Sequence, residues 1–315
     1  MNITFWGVRG SLPSPLVAEN VKEKIFKALT GATPDIISNE ESIKRYVDSL
    51  PLSVGGTVGG NTSCVEVRHG NTEIIIDAGS GIRNLSERLL MGDFGKGKGV
   101  GHVLISHFHW DHIQGFPFFV PFYLHGNRFY IYSPRPEFSD ILFRQQNPDN
   151  FPAALQNFPA SIEFVTLDGR NELRIDDIRI SWIKLNHPGD SYAYRLQGPD
   201  GCLVYATDSE YECLSDDEVE KYIRFFEGCD LLIFDSMYTV SAALERQGWG
   251  HSTAYTGARF ALEAGAKRLA LYHHEPSYDD AKLERIHEEV RKYVDEHKPG
   301  AVEILIAYEG LSVSI

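Results

Sequence analysis

Cysteine is scarce in this chain. Cys64, Cys202, Cys213 and Cys229 are the four in 315 residues, and no two form a CxxC pair. Free thiols are therefore expected, not a disulfide framework or a zinc ribbon. No apolar run approaches the length of a bilayer span. The start, Met1-Asn2-Ile3-Thr4-Phe5-Trp6, has no basic region leading into an apolar one. A cytoplasmic protein without a membrane partner is the expectation. Positive charge is also in deficit, with 30 Lys and Arg against 44 Asp and Glu and a net charge of −14. With no dense basic run, broad attraction to a polyanion is disfavoured. A small anionic substrate needs only a locally positive pocket, so it is preferred over nucleic acid. Neither repeats nor low-complexity segments occur, and 43% hydrophobic content suffices for a sizeable core.

Histidine, by contrast, is concentrated. Ser106-His107-Phe108-His109-Trp110-Asp111-His112 carries three imidazoles and a carboxylate directly after the apolar stretch His102-Val103-Leu104-Ile105. Folding alone does not call for such a cluster, whereas divalent metals take these nitrogen and oxygen donors directly. Alternation along an extended segment puts His107 and His109 on one side. Asp111 and His112 follow in a turn and can address a neighbouring position. One strand end could thus serve two metals.

Strand-like runs recur at Asn2 to Trp6, Cys64 to Val67, Glu73 to Ile76, Val103 to Ile105, Phe129 to Tyr132, Ile178 to Leu185, Cys202 to Tyr205, Leu231 to Phe234, Leu269 to Tyr272 and Val302 to Ala307. Ser215 to Glu218 reads as a capping box opening a helix to about Glu227. Ser252 or Thr253 caps another helix, stopped by Gly265. Leu283, Ile286, Val290, Tyr293 and Val294 form the stripe of a third, ending before Pro299-Gly300. Strands dominate the first half, with most helices later. The expected fold class is an α/β layered sandwich, not a doubly wound parallel sheet. Residues 1–315 read as one domain with a helix-prone insertion at about 12–52, either a surface decoration or a lid or dimer arm. The aromatic segment Gly115 to Tyr123 reads as core or subunit contact.

Further donors stand at strand ends. His187 closes Ile183-Lys184-Leu185-Asn186, Asp208 follows Cys202 to Thr207, and His273 follows Leu269 to Tyr272. Each alone is an ordinary residue. Together with HxHxDH, and in this order, they read as ligands.

The chain resembles the metallo-β-lactamase superfamily over nearly its whole length, and within it the phosphodiesterase branch of ribonuclease Z and the cyclic-phosphate diesterases. The matching elements are Gly59-Gly60-Asn61-Thr62-Ser63-Cys64, Ile76-Asp77-Ala78-Gly79, the HxHxDH run, Asn186-His187-Pro188-Gly189, Thr207-Asp208, Gly250-His251-Ser252-Thr253 and Tyr272-His273-His274. The resemblance implies a four-layer αββα sandwich. It implies that His107, His109 and His187 hold one metal, that Asp111, His112 and His273 hold another, and that Asp208 bridges them. His273 is preferred over its neighbour His274 by the match, although Tyr272 stands where ribonuclease Z has threonine; His274 would then lie behind the ligands or face the substrate. Asp77 is either the partner that orients a ligand imidazole or a turn-forming residue.

The implied chemistry is phosphodiester hydrolysis. Two divalent ions, Zn2+ first with Mn2+ or Fe2+ as alternatives, would share an activated hydroxide. Asp111 would serve as ligand and catalytic carboxylate, and His251, before a helix N-terminus, would protonate the leaving oxygen. Asn61 and Ser63 of the Gly-rich turn would meet the substrate, unless that turn is a plain connection. Arg9 either reaches a phosphate or has a structural partner. The first expectation is a phosphodiesterase acting on a small anionic diester, a cyclic nucleotide foremost, with a homodimer allowed. The alternative is a tRNA 3′-processing endonuclease, which the acidic charge disfavours.

Overall fold

Successive residues of the central strands feed two different cores, and this period-two burial dictates the architecture. Leu203 and Tyr205 join one apolar cluster while Cys202, Val204 and Ala206 join another. Likewise Leu231 and Ile233 face the first cluster, and Leu232 and Phe234 the second. On the other side of the molecule Ile74 and Ile76 face the first cluster and Ile75 a third. The shared cluster is therefore sandwiched between two sheets, and each sheet covers its outer face with helices.

The computed structural model describes residues 1–168, 172–211 and 214–315, so Cys213 lies outside the described residues. The strands are β1 (Asn2–Gly7), β2 (Cys64–His69), β3 (Thr72–Ile76), β4 (Val100–Leu104), β5 (Arg128–Ser133), β6 (Ser161–Thr166) and β7 (Leu173–Ile175). They continue with β8 (Ile178–Lys184), β9 (Tyr192–Gln197), β10 (Cys202–Ala206), β11 (Leu231–Asp235), β12 (Arg268–Tyr272), β13 (Glu303–Ile306) and β14 (Ser312–Ser314). One sheet runs β14-β1-β2-β3-β4-β5-β6 and the other β13-β12-β11-β10-β9-β8-β7. Leu85 and Leu89 of the helix Ile82–Leu90, with Phe138 and Leu142 of Phe138–Gln145, cover the first sheet. Helices Asp216–Phe226, Ala254–Ala264 and Asp280–His297 cover the second. The result is the four-layer αββα sandwich.

The helix signals act as their chemistry requires. Ser215 Oγ accepts from the Glu218 N–H while the Glu218 carboxylate accepts from the Ser215 N–H at 2.9 Å. Thr253, not Ser252, caps the next helix, and Gly265 ends it in the left-handed region at φ 65°. Strands β6, β7, β9 and β14 were not among the expected runs. Three are short or half-exposed edge strands, and in β9 Arg195 and Gln197 interrupt the apolar pattern. In the aromatic segment Phe116, Phe119 and Phe122 are fully buried in the third cluster. The 12–52 segment forms helices Ala18–Gly31 and Glu40–Ser49, and the short helix Leu52–Gly55 begins where it ends.

Under the helix Ile82–Leu90, one cation serves two buried carboxyls. Arg88 pairs with Glu66 and, at 2.9 Å, with Glu73. Burial, with Glu66 beside it, pushes Glu73 up to about 8 from its ordinary 4.5. The folded state then keeps a proton that the unfolded chain releases above pH 4.5. Stability is fully present below that value and declines as pH rises towards about 8. Glu73→Gln should flatten that decline, raising Tm at pH 8 by about 2–4 °C relative to wild type after matching the two at pH 5. Thermal scans across this range with an unchanged slope would rule out Glu73 as its source.

Pairing direction positions the site. Strands β3, β4 and β5 are parallel, as are β10, β11 and β12, while β8 runs parallel to β10 through two antiparallel steps. The C-terminal ends of β10, β11 and β12 thus share one edge, and β8 delivers its end there too.

Candidate metal centre

Each donor sits just beyond a strand end. Asp77 follows β3, the HxHxDH segment follows β4, His187 follows β8, Asp208 follows β10 and His273 follows β12. Their side chains converge in two groups: His107, His109, His187 and Asp208 in one, Asp111, His112, His273 and Asp208 in the other, with donor atoms within 4.8 Å of one another in each. Asp208 belongs to both. Its Oδ2 lies 3.5 Å from His107 Nε2 and 3.8 Å from His187 Nε2, and its Oδ1 lies 3.2 Å from His112 Nε2 and 3.3 Å from His273 Nε2. One carboxylate oxygen faces each group.

The local backbone accepts strain to achieve this. Asp77 and His273 adopt φ of 62° and 59°, a region a side chain rarely tolerates. Gly79 is required beside them, since a Cβ there would stand 2.2 Å from the Asp111 carbonyl.

Hydrogen bonds orient the rings. A carbonyl only accepts, so His187 Nδ1–H donates to Gly250 O at 2.7 Å and its Nε2 lone pair turns to His109 Nδ1, 3.0 Å away. His112 Nδ1 donates to Asp77 Oδ2 at 2.7 Å, which aims Nε2 at His273 Nε2, 3.2 Å distant. Asp77 also accepts from the Ser106 N–H, Ser106 Oγ–H and Tyr205 O–H, so it is held from several sides. Asp77→Asn should lower metal affinity about 10–100-fold while leaving the ligand set intact, read by competition with a chromophoric chelator. Unchanged affinity would reduce Asp77 to a turn residue.

Electrostatics separates the two groups. Burial lowers His107 well below the usual imidazole range, lowers His109, and brings His187 down to about 4. These rings are neutral and offer lone pairs. Burial alone would raise Asp111 and Asp208, but His112 and His273 hold Asp111 down, and His273, His112 and His107 do the same for Asp208. Burial would pull His112 down, yet Asp208, Asp111 and Asp77 raise it well above its ordinary value. The donor set passes a direct test of fitness for a metal: His107 Nε2 is buried without a hydrogen-bond partner among the described residues, pointing at the shared carboxylate. A divalent cation satisfies that nitrogen and the converging lone pairs together.

His251 stands beside both groups, its ring 5.2 Å from those of His187 and His273. Its Nδ1 is 2.9 Å from Asp235 Oδ2. Burial would lower this imidazole, but Asp235 pushes it up to about 9. Asp235 was not singled out from sequence. It ends β11 as Asp208 follows β10, and a parallel strand between two donor-bearing strands was the signal available.

Three expected substrate contacts require correction. Asn61 Nδ2 donates to Glu309 Oε2 at 2.8 Å, and Asn61 Oδ1 accepts from Ser80 Oγ at 2.9 Å, so its amide holds loops together. Ser63 is fully buried. His274 is also buried and donates from Nε2 to Ala307 O at 2.8 Å, because the left-handed turn at His273 sends the two imidazoles apart. Arg9 likewise is structural, donating to the carbonyls of Gly59, Glu275 and Tyr278.

A model of the β-lactamase superfamily domain matches residues 72–274, and the chain belongs to that superfamily. With its two donor groups it is a metal-dependent hydrolase, built for divalent metal ions. It is similar to ribonuclease Z of Oceanobacillus iheyensis, 25% identical over 246 residues that span 62% of this chain and 78% of the relative. It is also similar to ribonuclease Z of Natronomonas pharaonis, 26% identical over 294 residues spanning 75% and 91%. The solved structure of yeast PDE1 shares the fold with a TM-score of 0.66 at 15% identity, covering 100% of this chain and 99% of that one. Among the described residues no helix is long and apolar enough to cross a membrane.

Proposed function

We propose that this protein is a two-metal phosphodiesterase whose substrate is a small phosphodiester, a cyclic nucleotide foremost. The observation that carries the reading is His251, an imidazole raised to about 9 and held by Asp235 beside both donor groups. At neutral pH it carries a proton, and its Nδ1 is occupied by Asp235, so Nε2 is the nitrogen that meets a leaving oxygen. When bound, a pair of divalent ions supplies Lewis acidity, water ionised near neutral pH and a net positive field suited to a phosphoryl group. Asp208 holds the two donor groups in one frame, Asp111 completes the second, and Asp77 fixes the ring of His112. Zn2+ is the first candidate for this nitrogen and oxygen set, with Mn2+ and Fe2+ next. The buried free thiols Cys64, Cys202 and Cys229 support a reducing, cytoplasmic setting.

A second reading is favoured by the curated relatives, which bear the name ribonuclease Z. In that reading the substrate is a tRNA precursor cut at its 3′ side. The net charge of −14 supports the small diester instead. The test is one panel on metal-analysed protein: 3′,5′- and 2′,3′-cyclic nucleotides, a bis-aryl phosphate and a tRNA precursor. Turnover of a cyclic nucleotide with the precursor intact is expected. Cleavage of the precursor with cyclic nucleotides untouched would establish the second reading.

A further inference from the structure

Among the described residues, ten of the eighteen large exposed hydrophobic side chains lie between Leu12 and Val47. Val17, Val21, Ile25 and Leu29 fall four residues apart on and just before the helix Ala18–Gly31, forming one ridge along it. Phe26, Ile37, Ile43 and Val47 extend the apolar surface across the short link and the helix Glu40–Ser49. Neither helix contains a single buried residue. Helices of 14 and 10 residues derive most of their stability from packing an apolar face, and here that face points to solvent.

The outward orientation is built in. Lys24, on the half-buried row Asn20-Lys24-Ala28 beside that ridge, sends its ammonium to the carbonyls of Leu52, Ser53 and Gly56 and to Asp280 Oδ2 at 2.7 Å. Tyr46 O–H donates to Ala28 O at 2.6 Å and ties the second helix to the first. The arm is thus anchored to the body by polar contacts, with its apolar ridge left over.

We propose that the helical arm of residues 12–52 is the face on which two copies of this chain associate. At 40–69% exposure the ten side chains present on the order of 1,000 Å² of largely apolar surface. That exceeds the roughly 300–600 Å² patch of an ordinary monomer and matches the ~800 Å² each partner gives a standard interface. Charge singles out the same surface. Between Ala18 and Ser49 there are six acids and five bases, a balance of −1 on a chain carrying −14. Two copies that meet through this segment bring almost no net charge of their own into the contact. Within the first helix Glu23 pairs with Lys27 at 2.7 Å, and Glu19 lies 3.5 Å from Lys22, so the ridge is flanked by both signs, as a self-complementary two-fold contact requires. A near-neutral arm gives an anionic membrane little to attract.

Sedimentation equilibrium of the full chain at micromolar concentration should return twice the 35.4 kDa chain mass. Ile25→Glu with Leu29→Glu should raise the dimer dissociation constant roughly 100-fold or more. Met91→Glu, which alters an exposed residue outside the arm, should leave it unchanged. Should the double variant fold poorly, hydrogen exchange on the wild type decides: amides 18–49 should lose protection on dilution as the dimer dissociates. A monomeric wild type, a dimer untouched by the double variant, or protection independent of concentration would overturn the proposal. So would a monomer that co-sediments with phosphatidylserine vesicles, which would give the arm to a membrane.

Discussion

Replacing His251 with alanine is expected to cut turnover of an unactivated phosphodiester by about 10²–10⁴-fold with metal content unchanged. The reason lies in the leaving group. An alkoxide departing from phosphorus needs a proton, and His251 holds one near neutral pH because Asp235 stabilises the imidazolium. A nitrophenolate needs none, so the same variant should lose far less on a bis-nitrophenyl phosphate. Plasma emission on the purified variant reads the metal, and parallel kinetics on the two substrates read the proton. Equal losses on both, or a depleted metal content, would show that His251 acts on the centre and not on the leaving oxygen. Asp235→Asn should reproduce the pattern more weakly, because it removes the charge that keeps His251 protonated while sparing the ring.

Asp208→Asn should have the larger structural reach. The shape is kept, but the charge placed between the two donor groups is lost. At least half the bound metal should go, and turnover should fall by 10³-fold or more, on the order expected when a two-metal site is broken. Stability reports the same event independently. Wild type should gain about 2.7 kcal/mol from metal at a hundredfold excess over Kd, visible as a rise in Tm, and the variant only a fraction of it. A variant that binds the full complement and retains the Tm response would show that metal binding does not depend on the Asp208 carboxylate.

The donor types and their order were readable because they cluster against expectation: three imidazoles and an aspartate directly after an apolar run, then single donors at later strand ends. The layered fold was readable too, since the central strands β10 and β11, buried on both faces, are apolar at nearly every position. The edge strands β6, β7 and β14 were not, because many of their residues face water and dilute the pattern.

Asp235 escaped notice because a lone carboxylate after a strand has many ordinary uses. It becomes a partner of His251 only through the parallel register of β11 with β10 and β12. The choice between His273 and His274 turned on one dihedral, φ 59° at His273, which local sequence does not encode and the surrounding packing imposes. Asn61 and His274 looked fit for a substrate by type, yet loops distant in the chain had already taken their hydrogen bonds. Composition and spacing, being properties of neighbouring residues, thus reveal which chemistry the chain carries. Which residue stands next to which at the centre is set by contacts between segments up to 160 or so positions apart, and those exist only once the two sheets have closed on their common core.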